Sequence, residues 1–189
     1  ETTNLIKYVV MFTFGVEFIG ILLLFIRFMD FFSIRTALYH SVFHSISAFC
    51  NAGFSSFSNN LSDYREDVWI NLVIMSLIII GGIGFVVVYE LQKYFKSRDL
   101  KVNHKISLHT RLALITTGTL IITGAMFIFI FEYSNLLRNY DISTKALASL
   151  FQSITCRTAG FNTIDIANLS KSSALISIIL MFIGGSPAS

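Results

Sequence analysis

Three runs of apolar residues, about Leu5 to Phe28, Val68 to Tyr89 and Leu112 to Phe131, are each long enough to cross a lipid bilayer. A crossing helix needs about 20 consecutive apolar residues to traverse about 30 Å of hydrocarbon. A fourth run begins near Ala174 and meets Gly184-Gly185 after ten residues, followed by Ser186 and the chain's only proline, Pro187. It reads as a span interrupted inside the bilayer, as one cut short where the chain stops, or as both. Of the 189 residues 54% are hydrophobic and 13% charged, too few charges to coat a soluble domain. The expectation is an all-α integral membrane protein. The first run is long enough to span and lacks a small-residue cleavage site, so it does not read as a signal peptide.

Charge orients the spans. The segment 90–111 carries Lys93, Lys96, Arg98, Lys101, Lys105 and Arg111 against only Glu90 and Asp99. By the positive-inside rule this loop is expected to be cytoplasmic, and the other two connections to face outward. No basic tract with interleaved aromatics suggests nucleic acid. Two cysteines, Cys50 and Cys156, are too few for a disulfide framework and fit no metal spacing. They read as small packing residues, with an interhelical bridge as the lesser alternative.

The outward connections contain helices too short and too polar to cross: Thr36–Phe49 ("TALYHSVFHSISAF") and Thr144–Thr155 ("TKALASLFQSIT"). Such lengths suit re-entrant helices, which enter the membrane part way and return. Each leads into Ala-Gly-Phe, at Ala52-Gly53-Phe54 and Ala159-Gly160-Phe161. Irregular backbone at that depth is tolerated only where it is buried in protein or lines a watery cavity. The order span, short helix, Ala-Gly-Phe, span occurs twice. Gly53 and Gly160 are 107 residues apart, Gly20 and Gly124 104 apart, and Gly81 and Gly184 103 apart, with one extra residue before the first glycine. A unit with two crossings returns the chain to its starting side, so the copies are parallel.

Rings of backbone carbonyls can replace the water shell of a bare cation, and glycine lets successive carbonyls point one way. A short helix with its C-terminal end toward the axis adds about half a negative charge there. Asn51, Ala52, Gly53 and Phe54, and Thr158, Ala159, Gly160 and Phe161, are therefore the candidate ion-binding backbone, with the two phenylalanines as anchors. The alternative is that both stretches are tight turns in structural hairpins.

The residues "FHSISAFCNAGFS", "FQSITCRTAGFNTIDI", "EFIGILLLFIRF" and "FIGGSPAS" together resemble the Trk/Ktr/HKT superfamily of potassium transporters, most closely the KtrB-type membrane subunit. The resemblance covers essentially the whole chain. It implies potassium-channel-like units of span, pore helix and span, four to a polypeptide, with one selectivity glycine in each. Here two of the four are expected: the second at 1–100, with spans about 5–28 and 68–89 and a pore helix about 36–50, and the third at 101–189, with spans about 112–131 and 174–189 and a pore helix about 144–156. It further implies a gate at Gly184, Gly185 and Ser186, where the third repeat's second helix is broken below the filter. Other implications are potassium uptake across the cell membrane with no cofactor, sodium coupling in some members, a homodimer, and a cytosolic KtrA-type nucleotide-binding regulatory ring. The basic 90–111 loop would meet that ring or anionic membrane lipid. Two repeats by themselves are not expected to enclose an ion.

Other residues invite weighing. Arg157 would repel a cation if it faced the ion, so it reads as a tether pairing with Asp165 or with carbonyls behind the filter, and its counterpart in the first copy is Cys50. Glu17, mid-span, reads as a hydrogen-bonding partner of a neighbouring helix more readily than as an ion relay. His40 and His44 stand one turn apart as metal ligands do, but further ligands are missing and no resident metal is expected. Gly81, Gly82 and Gly84 suit close helix packing, with a hinge as the alternative. Nothing resembles a phosphate loop, a nucleophile elbow or a carboxylate pair, so no enzyme activity is expected. The rival functions are a secondary transporter with re-entrant loops and a non-conducting membrane scaffold, the former disfavoured because its repeats are expected to be inverted.

Overall fold

The computed structural model describes residues 2–99 and 106–185, which form helices and turns and no strand. The helices are α1 (Thr2–Phe28), α2 (Ile34–Phe49), α3 (Val68–Ile83), α4 (Phe85–Asp99), α5 (Leu108–Glu132), α6 (Ile142–Thr158) and α7 (Lys171–Ile183). Single 3-10 turns at Ser62–Tyr64 and Ile166–Asn168 precede α3 and α7.

Two of these helices, Ile6–Phe28 within α1 and Leu108–Glu132, are long and apolar enough to cross a membrane, and only 17% of the most apolar stretch of each is buried in protein. Phe14, Phe18, Ile115, Ile122 and Met126 stand exposed on them. Contiguous apolar surface on that scale has no place in water, and a lipid environment removes the conflict. The all-helical chain is thus built as a membrane protein.

The same packing device is used twice. Ser45 of α2 donates to the Glu17 carbonyl of α1 (2.8 Å), and Ser153 of α6 donates to the Ile121 carbonyl of α5 (2.9 Å). Glycine makes the approach possible. A Cβ on Gly20 would stand 2.4 Å from Ser45 Oγ, and a Cβ on Gly124 2.4 Å from Ser153 Oγ. Leu77 of α3 closes over Gly20, and Leu180 of α7 over Gly124. Small residues at helix crossings and interhelical hydroxyl bonds are the usual adhesives between helices in lipid.

Polar groups fix the helix ends. Asp67 accepts from the Ile70 amide at the start of α3, and its other oxygen takes the Arg27 guanidinium from the end of α1 at 2.7 Å. In the second half, Glu132 at the end of α5 accepts from the Ser170 amide (2.9 Å), and Ser170 caps α7. Both joints tie one helix's last turn to another's first, with different chemistry.

One core holds the halves together. Leu24, Phe28, Ala48 and Ile74 from the first half pack in a single cluster with Phe151, Ile154, Ala159 and Phe161 from the second.

The expected continuous span over 68–89 is corrected. α3 stops at Ile83, and the next helix leaves at 93°. The break is Gly84, whose φ of 89° is one that residues with a side chain rarely adopt. Gly81, three residues earlier, serves contact instead: a Cβ there would lie 1.9 Å from the Phe49 carbonyl oxygen. Of the expected 174–189 span the described part is helical to Ile183, where Gly184 (φ 67°) ends α7; residues 186–189 lie outside the described residues. Thirteen residues reach about 20 Å, short of the roughly 30 Å of hydrocarbon. Ser186 of the expected gate lies outside the described residues, as do Lys101 and Lys105 and the side chains of Lys96 and Arg98 from the basic segment.

Candidate functional site: two helix C-termini that meet

The C-terminal ends of α2 and α6 meet. The link is direct, since Thr158 Oγ1 at the end of α6 donates to Asn51 Oδ1 just past α2 (2.9 Å). Beyond it the two glycine turns touch: a Cβ on Gly160 would be 4.0 Å from Gly53 Cα, and one on Gly53 would be 2.0 Å from the Ala159 carbonyl oxygen. Both glycines have positive φ, 70° at Gly53 and 88° at Gly160.

The extra residue of the first copy is Asn51. Ser45 and Ser153 lie 108 residues apart, as do Ser47 and Thr155, whereas Gly53 and Gly160 lie 107 apart. Asn51 absorbs the difference in a left-handed conformation, φ 52°, which asparagine tolerates better than most side chains. In the helical register Arg157 therefore corresponds to Phe49, not to Cys50 as expected.

Each turn is held from behind by its own short helix. Ser47 Oγ donates to the Phe54 carbonyl (2.7 Å), and Thr155 Oγ1 donates to the Phe161 carbonyl (2.9 Å). Among the candidate oxygens, these two already carry a protein donor. The rings differ: Phe161 is fully buried beside His44, with ring centroids 6.3 Å apart, whereas Phe54 is 70% exposed. Among the described residues the Phe161 ring is packed and the Phe54 ring is left exposed.

The histidines support the first turn. His44 Nδ1 lies 2.8 Å from the His40 carbonyl, which can only accept, so that nitrogen carries the proton. In the neutral ring Nε2 is then an acceptor, 3.0 Å from Ser55 Oγ two residues beyond Gly53. His40 Nδ1 pairs with Ser56 Oγ at 2.7 Å. Among the described residues no cluster of three metal-ligating side chains occurs.

The chain beyond the second glycine is strapped by the first half's loop. Leu61 N donates to the Asn162 carbonyl (3.0 Å), Asn162 N donates to Asn60 Oδ1 (3.1 Å), and Arg65 Nε donates to the Thr163 carbonyl (2.6 Å). The Arg65 guanidinium also meets the Tyr140 hydroxyl and lies over its ring, 4.7 Å from the centroid.

The remaining candidates fall elsewhere. Arg157 does not reach Asp165, which caps the 3-10 turn after the second glycine; it bonds the Gly184 carbonyl and Thr117. Glu17 is buried, 3.9 Å from Cys50 Sγ, and both cysteines are free. The hydroxyl braces escaped the sequence reading, although Ser45-Ile46-Ser47 and Ser153-Ile154-Thr155 repeat in plain view. The Asn60–Asn162 and Arg65–Thr163 links had no such signal, since each joins loop residues about a hundred positions apart that belong to no repeated motif.

An aligned helix carries about half a negative charge at its C-terminal end. Two such ends meeting beside two touching backbone turns favour a cation there and disfavour an anion.

The comparisons with known proteins agree with that chemistry. Residues 1–189 match the family described as TrkH, cation transport protein. The Ktr system potassium uptake protein B of Bacillus subtilis is 42% identical over 98% of this chain, and its namesake from Vibrio alginolyticus 34% identical over 98%. The potassium/sodium uptake protein NtpJ of Enterococcus hirae is 33% identical over the full chain. The chain spans 41%, 40% and 42% of these three relatives, about two fifths of their length. With the family matched from the first residue to the last, the chain belongs to the TrkH family of cation transport proteins.

Proposed function

We propose that this chain supplies two pore-lining units, 1–100 and 101–189, of a potassium uptake protein, and that Asn51–Phe54 and Thr158–Phe161 are two segments of its selectivity filter. The observation that carries the reading is the meeting of the two glycine turns at two converging helix C-termini. A dehydrated cation needs oxygens held in place, and backbone carbonyls fixed by glycine conformation supply them. The Phe54 and Phe161 carbonyls, engaged by Ser47 and Thr155, act as braced members of each segment; the preceding carbonyls are the freer ligands. The activities the relatives are named for, potassium uptake in two and potassium/sodium uptake in one, point to the same cargo.

In this reading α1 and α5 are outer spans, α2 and α6 pore helices, and the chain from Gly184 through Gly185 and Ser186 gates the path beneath the filter. The basic 90–111 connection then faces the cytosol of a cell membrane protein, where a KtrA-type regulatory ring docks on a homodimer. The relatives' designation as members of a Ktr system supports a regulatory partner.

The test is ion uptake by the full-length protein in proteoliposomes, comparing rubidium with sodium. Gly160→Ser suits it, because the space beside Gly160 admits a side chain. A filter predicts a lowered preference for rubidium with folding retained. Unchanged preference in a folded variant removes the reading.

A further inference from the structure

We propose that Arg157 is a latch on the chain that starts at Gly184, holding the C-terminal end of α7 against α5 and α6. Its consequence for ion flow rests on the transport reading above; its geometry does not. Arg157 Nε donates to the Gly184 carbonyl (3.2 Å) and Nη2 donates to Thr117 Oγ1 on α5 (3.3 Å). One guanidinium thereby bridges three helices at the point where α7 stops.

The position is what matters. Arg157 directly precedes Thr158, so the latch lies one residue from the filter turn. α7 ends there with only about 20 Å of helix behind it, so the chain beyond Gly184 starts at membrane depth. Non-helical backbone at that depth, as at Gly184, must lie against protein or water. A cavity of about 220 Å³ opens beside the latch, bordered by His109, Thr116, Thr117, Arg157 and Gly184. The Gly184 end of α7 therefore has open space beside it.

The first half lacks the device. Phe49 stands where Arg157 does, Gly81 stands where Gly184 does, and the helix continues past Gly81 to Ile83. The cation occurs only where the helix stops. Among the described residues no carboxylate lies within ion-pair distance of Arg157, so its partners are a hydroxyl and a helix-terminal carbonyl. Such an end attracts positive charge, which suits a hold that can be released without separating two full charges.

The latch is tested in the full-length protein, with Cys50 and Cys156 replaced by alanine and Gly185→Cys as a reporter of exposure. Losing a hydrogen bond from a charged donor should speed its reaction with a water-soluble thiol reagent about tenfold in Arg157→Gln. Arg157→Lys should also react faster, because one ammonium cannot reproduce the planar fork. Thr117→Val, should Arg157→Gln fold poorly, removes one arm and should give a smaller increase. Rates equal to the parent in every folded variant overturn the latch, whether or not the protein carries ions. In proteoliposomes both Arg157 variants should raise basal rubidium influx without changing rubidium-over-sodium preference. A rise in Arg157→Gln but not in Arg157→Lys would make the residue a charge barrier instead and overturn the proposal. If the parent protein passes neither ion, the transport reading falls, and the thiol rates still decide the latch.

Discussion

A Cβ on Gly53 would stand 2.0 Å from the carbonyl oxygen of Ala159, closer than any real carbon tolerates. The obstacle is backbone, so no side chain can swing aside. Gly160 also has positive φ, but its Cβ would find Gly53 Cα no nearer than 4.0 Å. Gly160→Ala should therefore carry only conformational strain of about 1–2 kcal/mol. Gly53→Ala must in addition push the two turns apart. Thermal melting in detergent should show a clearly larger loss for Gly53→Ala, and equal losses would mean that the turns do not touch as described.

The hydroxyl braces behind the turns yield a second expectation. Thr155 is almost fully buried and donates to the Phe161 carbonyl, so Thr155→Val leaves a buried oxygen unpaired, at a cost of about 1–3 kcal/mol. Thr155→Ser keeps the hydroxyl and should recover most of that loss. Ser47→Ala should lose less, because its bond to the Phe54 carbonyl is only part-buried. Melting temperatures of the three variants check the order; a valine variant as stable as the serine variant would remove the brace.

What could be read from the sequence was whatever repeats or has a characteristic period. The apolar stretches located α1 and α5, and the duplicated Ala-Gly-Phe located the meeting point of α2 and α6. The break at Gly84 was harder. Gly81, Gly82 and Gly84 are alike in sequence, and only the backbone shows that Gly81 gives room to the Phe49 carbonyl while Gly84 turns the chain. An extra residue before Gly53 was visible in the sequence, but not that Asn51 is the one that takes it up. Arg157 was weighed as a tether to Asp165 or to carbonyls; its acceptors are the Gly184 carbonyl and the Thr117 hydroxyl, and no residue type signals which carbonyl will point its way.

Arg65 ties the α2–α3 loop of the first half to the segment beyond the second glycine, through the Thr163 carbonyl and the face of Tyr140. A guanidinium reaches both because its donors form a rigid fork, whereas lysine offers one compact ammonium. Arg65→Lys should thus behave nearly as Arg65→Ala does, with a stability loss of about 1–3 kcal/mol from a charged donor's bond. Denaturation in detergent measures it. If lysine restores parent stability, charge alone holds the seam, and the fork is not needed.

Asp141 supplies a pH signature for the start of α6. Hydrogen bonds from the Ser143 and Thr144 hydroxyls hold its carboxyl down at about 2, from an ordinary 3.8. It sits on the exposed loop between α5 and α6, where it also accepts from the Ser143 amide (3.2 Å). A carboxylate whose folded value is depressed adds stability above its unfolded value and loses it as pH falls through the folded one. The contribution should therefore be complete above about 4 and fade toward about 2. Other acids titrate in the same window, so the informative quantity is the stability difference between the parent protein and Asp141→Asn. That difference should shrink as the solution is acidified across the window and hold steady from mild acid to neutral pH. A difference independent of pH throughout would mean that Asp141 does not hold the first turn of α6 as a carboxylate.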